Sequence, residues 1–123
     1  MSVTGVLQVF VKVSDVDRSL AFYRDVVGLR EWMRVPNQPM AFLYAGDVRI
    51  YLDGNPTEPG FNASVVYYRV DDVHAETERL RAAGVPVTSE PHELFSTPEW
   101  TLWLAFFTDP DGTPFGLMAE VAP

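Results

Sequence analysis

Two short stretches of this chain match each other. Residues 13–16 read "VSDV" and residues 70–73 read "VDDV", an offset close to half of the 123 residues. An apolar run precedes each, "VLQVFVKV" and "ASVVYYRV", and a helix-like run follows each and ends near a glycine, Gly28 or Gly84. Self-similarity at this spacing constrains the fold more than any single residue, because each copy must repeat one supersecondary unit. Two copies of a strand, a helix and three strands fit the chain.

In the first unit the spacing predicts a strand over about residues 6–13. Asp15 or Ser14 is placed to cap the next helix by accepting from its free N–H groups. Val16, Leu20, Tyr23 and Val27 follow the three-to-four spacing of one buried stripe, and Gly28 suits a left-handed stop. Strands are expected at about 29–35, 40–45 and 48–53, with turns marked by Pro36, Asn37, Gly46 and Asp47. The second unit has a strand at about 63–70, Asp71 or Asp72 as cap, and a helix to Ala83 with Val73, Thr77 and Leu80 inward. Its further strands are expected at about 86–91, 100–107 and 114–119. "TDPDG" makes the last turn, between runs as apolar as Phe106–Phe107 and Phe115–Met118. The whole reads as one domain, 1–123, with a first module over about 1–54, a Pro- and Gly-rich linker over 55–62 and a second module over about 63–123. Residues 92–99 read as a longer loop, of the kind that carries function in compact domains or is a tolerated insertion.

Composition removes several classes of function. With no cysteine there are no disulfides, thiolate metal sites or cysteine nucleophiles. The net charge is −8 and the nine basic residues are scattered, whereas nucleic-acid binding needs a clustered cationic footprint. No apolar run is long enough to span a bilayer. The first residues lack the pattern of an export signal, so the expected location is the cytoplasm. No Ser-His-Asp, Walker or Rossmann pattern is present.

Three passages, "VKVSDVDRSLAFYRDVVGL", "YRVDDVHAETERLRAAGVPV" and "FFTDPDGTPFGLM", resemble the vicinal oxygen chelate superfamily of glyoxalases, bleomycin-resistance proteins and extradiol dioxygenases. The resemblance implies an α+β fold of two βαβββ modules forming an open, cup-shaped barrel, and a homodimer. It also implies four metal-ligand positions, on the first and last strand of each module, where metal-dependent members carry His or Gln, Glu, His and Glu. Carried over singly, these fall on Gln8, Tyr51, Val65 and Gly116. A glutamine carbonyl can ligate. A neutral phenol is a poor ligand for Zn, Ni, Mn or Fe, valine has no donor, and glycine has no side chain. The expectation is therefore no metal and no cofactor.

Abundant aromatic residues on strands that present one face to helices and one to a cavity suit a flat organic molecule. The expected ligand-binding residues are Gln8, Phe10, Tyr51, Tyr67, Trp103 and Met118. Residues 100–107 are nearly all apolar, so alternation does not say which parity of that strand faces the ligand. His92 is the one candidate general base, against a plain surface imidazole. His74 is expected to face solvent. Lys12 and Arg69 share strand parity with these positions and either meet an anionic ligand or lie along the surface as amphipathic side chains. The leading expectation is a metal-free binding protein for a planar or aromatic small molecule. The alternative is a metal-dependent lyase, isomerase or dioxygenase with an atypical site.

Overall fold

Each repeated Asp starts a helix. The Asp15 carboxylate accepts from the Arg18 N–H at 3.1 Å and that of Asp72 from the Ala75 N–H at 3.0 Å. Both cap residues are extended, with φ of −139°, as N-caps are. Of the two alternatives in each copy, the second residue is the cap. These details come from a computed structural model, which describes residues 5–56 and 65–123. Residues 57–62 of the expected linker, and residues 63 and 64 of the expected fifth strand, lie outside the described residues.

The chain divides into two units, Met1–Asn62 and Ala63–Pro123. The first runs β1 (Gln8–Lys12), α1 (Val16–Ala21), β2 (Arg30–Arg34), β3 (Met40–Ala45) and β4 (Val48–Asp53). The second repeats it as β5 (Val66–Arg69), α2 (Val73–Ala82), β6 (Val87–Ser96), β7 (Thr101–Thr108) and β8 (Pro114–Val121). Each unit holds a four-stranded mixed sheet, ordered β1-β4-β3-β2 and β5-β8-β7-β6. The first strand of each lies parallel to the last, and the other pairs are antiparallel. The α+β class and the twofold βαβββ pattern are as the repeat requires.

In the first unit one sheet face is buried through Val11, Ala41, Leu43, Ile50 and Leu52, with Leu20 and Tyr23 packed from the helix. The helical stripe holds for Val16, Leu20 and Tyr23, but Val27 is only half-buried. The reason is a change of helical pitch: residues Phe22–Val27 form a π-helical turn. Its i→i+5 bond, Gly28 N–H to Tyr23 O at 3.0 Å, adds a residue per turn and rotates Val27 off the stripe. Gly28 then ends the helix with a φ of 100°, open to glycine without steric cost.

In the second unit Tyr68, Ala105, Phe107, Phe115 and Leu117 are buried with Val73, Thr77 and Leu80 of α2. Thr77 tolerates burial because its hydroxyl donates to the Val73 carbonyl one turn back, at 2.7 Å. The β7–β8 turn is held by one buried carboxylate. Asp109 accepts from the N–H groups of Asp111 and Thr113, each at 2.9 Å, and Gly112 supplies the positive φ, 80°. Burial, with Asp109 nearby, pushes the Tyr68 phenol above its ordinary pKa, so it stays neutral and protonated.

One element departs from expectation. Residues 92–96 belong to β6, not to a loop, and only Thr97–Trp100 turns, closed by the Thr97 N–H to Trp100 O bond at 2.8 Å. Three register shifts interrupt the β6–β7 ladder. Such bulges break strict alternation, which hides the strand from a reading by period. No described helix is long and apolar enough to cross a membrane.

Candidate functional site

Side chains on a strand alternate between faces, and residues opposite one another across a ladder share a face. In the first unit Ile50 and Leu52 point to the helix, so Arg49, Tyr51 and Asp53 point away from it. The β1–β4 register pairs Gln8 with Arg49, Phe10 with Tyr51 and Lys12 with Asp53. The β3–β4 register adds Tyr44 opposite Arg49, Phe42 opposite Tyr51 and Met40 opposite Asp53. Gln8, Phe10 and Tyr51 therefore stand together on the face turned away from α1.

That face carries a continuous line of rings. Phe10 meets Tyr51 edge-on, with centroids 5.5 Å apart. Tyr51 stacks on Phe42 at 4.8 Å and an interplanar angle of 18°. Phe42 meets Trp32 at 5.6 Å, and Trp32 meets Tyr44 at 5.7 Å. Trp32 reaches this line because it is the extra residue of a bulge: the β2–β3 register shifts between Glu31 and Met33. A bulge re-aims a side chain in this way. Phe10 and Trp32 are 39% and 44% exposed, which for rings of this size leaves substantial apolar area facing outward.

At one end of the line lies a cavity of about 400 Å³, lined by Phe10, Tyr51, Met40, Asp53, Asn55 and the 38–39 turn. Asp53 is buried and accepts from the Asn55 N–H at 2.9 Å. The Lys12 ammonium donates to the Asn55 carbonyl. At the other end sits Arg49, its guanidinium 4.8 Å from the Trp32 ring centroid and 5.9 Å from that of Tyr44.

In the second unit, the registers place Tyr67 with Gly116 and Phe106, and Arg69 with Met118, Leu104 and His92. Tyr67 and Met118 thus share the face turned away from α2, and Tyr67 meets Phe106 at 5.7 Å. Trp103 stands on the other face. Its ring packs against His74 of α2, with centroids 4.8 Å apart, so it belongs to the helix side and not to the face of Tyr67 and Met118. The same contact makes His74 a packing partner of Trp103, though the residue is exposed.

His92 lies in β6, not in a loop, and is half-buried. Its Nδ1 is 2.9 Å from the Glu90 carbonyl and 3.5 Å from the Ser89 hydroxyl. A carbonyl only accepts, so Nδ1 is the donor in that contact. No described carboxylate pairs with the ring to orient it.

Three of the four positions of the metal-binding pattern do not suit a divalent ion; Gln8 is the one that could ligate. Tyr51 is held in the ring line. Val65 is exposed, next to β5, and offers no donor. Over Gly116 lies the Tyr67 ring: a Cβ there would sit 2.9 Å from Tyr67 Cδ2, so the space beside the strand is already taken by an aromatic edge. Among the described residues, no three His, Asp or Glu side chains gather to hold an ion.

Residues 5–117 match the Glyoxalase/Bleomycin resistance protein/Dioxygenase superfamily. The chain belongs to that superfamily. A lactoylglutathione lyase of Haemophilus influenzae is 34% identical over 87% of this chain and 86% of its own length. A probable lactoylglutathione lyase of Vibrio cholerae is 32% identical over 91% and 88%. Among solved superfamily structures, TnmS3, an antibiotic binding protein from a Streptomyces species, superposes with a TM-score of 0.76. It is 30% identical and covers 98% of each chain.

Sequence reasoning missed Arg49 as a site residue. A signal was there: in "VRIYLD" it has the parity of Tyr51. Trp32, Phe42 and Tyr44 were visible only as abundant aromatics, since their convergence depends on the β2 bulge and the β3–β4 register.

Proposed function

We propose that this chain is a metal-free small-molecule-binding member of its superfamily, holding a planar aromatic ligand against the face formed by Phe10, Tyr51, Phe42 and Trp32. The observation that carries this is the placement of Tyr51. A position that would supply a carboxylate to a metal supplies a ring stacked at 4.8 Å on Phe42. Stacking and edge contacts suit flat ligands, and the cavity beside Tyr51 and Phe10 is of the size that takes small organic molecules. The likeness to an antibiotic binding protein supports the reading. The curated relatives named as lyases favour a second one, a metal-dependent lyase.

One preparation separates the two. Protein purified without chelator is analysed for metals and titrated with anthracene carboxamide, a neutral planar probe, by tryptophan fluorescence. The expected result is saturable binding with well under one Zn, Ni, Mn or Fe per chain. About one ion per chain, lost on Gln8→Ala, overturns the metal-free reading; no saturable binding overturns the ligand class.

We also propose that the chain works as a homodimer, the assembly that the superfamily resemblance implies for chains of two modules. Sedimentation at micromolar concentration is expected to give twice the chain mass. A monomer there overturns the assembly and leaves the ligand reading in place.

A further inference from the structure

The chain carries 17 acidic and nine basic residues, and several of its cations are paired. Arg24 pairs with Asp25 and Glu31 at 2.8 and 2.6 Å. Arg34 pairs with Asp17 at 2.8 Å, and Arg79 with Glu76 at 2.7 Å. Arg81 reaches Glu78 and Glu90. Arg30, Arg49 and Arg69 have no described carboxylate partner, and of these only Arg49 has a buried Nε without a hydrogen-bond partner among the described residues. A buried donor without a partner is costly and calls for an explanation in a native structure.

The surroundings of Arg49 suit recognition rather than packing alone. Trp32 lies at 4.8 Å and Tyr44 at 5.9 Å from its guanidinium. Cation–π contacts of this kind hold the group in place. Of the guanidinium nitrogens only Nε is buried without a partner, so the terminal ones reach solvent and can meet a ligand oxygen while the rings fix the fork. A carboxylate fits such a fork in two-point fashion. Arg49 is two residues from Tyr51 on the same strand and face, roughly 7 Å along it, a distance that a fused two- or three-ring molecule spans. Gln8 stands opposite Arg49 in the register and adds an amide that both donates and accepts.

We propose that Arg49 is the anchor for an anionic oxygen on the ligand, so that the molecule bound is a planar aromatic acid rather than a neutral or cationic aromatic. This rests on the binding face proposed above and narrows its ligand class. The mechanism is electrostatic selection. The net charge of −8 disfavours anions over the surface as a whole, while the Arg49 guanidinium over Trp32, with that of Arg30 over Tyr44 at 4.8 Å, favours them beside the rings.

The test compares anthracene carboxylate with its isosteric carboxamide. Wild-type protein is expected to bind the carboxylate about tenfold or more tightly than the carboxamide at neutral pH, as charge-assisted hydrogen bonds predict. Arg49→Gln is expected to erase that preference, so that the two probes bind within about twofold of each other. Arg49→Lys keeps the charge but loses the fork, and is expected to restore only part of the preference. If wild type binds both probes equally, Arg49 is no anchor, although the aromatic face stands. An equal loss of both probes in Arg49→Gln makes Arg49 a packing residue only, and also overturns the proposal. If neither probe binds wild type, the binding face itself fails. The wild-type comparison needs no variant, so poor folding of Arg49→Gln does not remove the test.

Discussion

Phe107→Ala is expected to lower the unfolding free energy by about 3–5 kcal/mol, the cost of emptying a buried aromatic site. Phe107 is fully buried, and its ring stacks on Phe115 with centroids 5.5 Å apart. The register sets Val87 on one side and Phe115 on the other, so α2 and three strands all border the space the ring leaves. The neighbouring residue provides the control. Phe106 points to the opposite face, is half-buried, and touches Tyr67 at its edge. Phe106→Ala is expected to cost about 1–2 kcal/mol, from partial area and one ring contact. Urea denaturation midpoints at constant slope give both values. Equal losses for the two variants mean that the faces of β7 are assigned wrongly. A domain with the usual stability of about 5–15 kcal/mol survives the second change and is brought close to its limit by the first.

That pair of residues also marks where the sequence ceases to be readable. Between Leu102 and Phe107 every residue is apolar, so the period of two that identifies an inward face elsewhere carries no contrast. Trp103 looked like a ligand residue and packs on His74 instead, while Met118, from a strand of the same composition, lands on the opposite face. Register decides this, and register is a property of two strands together. In β1 and β4 the case is different. "VRIYLD" alternates, and Gln8, Phe10 and Tyr51 share a face as the β1–β4 register sets it. The helix caps were legible for a similar reason, since Asp15 and Asp72 act on backbone donors three residues away. What escaped was whatever depends on an irregularity. The π-turn moved Val27, the β2 bulge aimed Trp32, and the shifts in β6 turned an expected loop into strand. The surroundings of Arg49 were equally out of reach, because they depend on the rings that the register and the β2 bulge bring to it.

Tyr51→Ala is expected to weaken binding of anthracene carboxamide by about ten- to a hundredfold, which corresponds to roughly 1.4–2.8 kcal/mol. Two contributions add. The ligand loses a ring face to stack on, and the Tyr51 side chain lies between the cavity and the Phe42–Trp32 end of the line, so its removal splits the apolar surface in two. The same change costs some stability, because Tyr51 meets Phe10 at 5.5 Å and Phe42 at 4.8 Å. Each such ring pair contributes about 0.5–1.5 kcal/mol beyond area burial, less than the loss at Phe107. Folding and binding therefore separate in this variant: the urea midpoint moves modestly while affinity collapses. Tyr51→Phe keeps the ring and is expected to bind the neutral probe within about threefold of wild type, since stacking and area, not the hydroxyl, carry the contact. Wild-type affinity in Tyr51→Ala places the ligand elsewhere. Loss of binding in Tyr51→Phe as severe as in Tyr51→Ala transfers the role from the ring to the phenol oxygen, and with it the case for a flat aromatic ligand on this face.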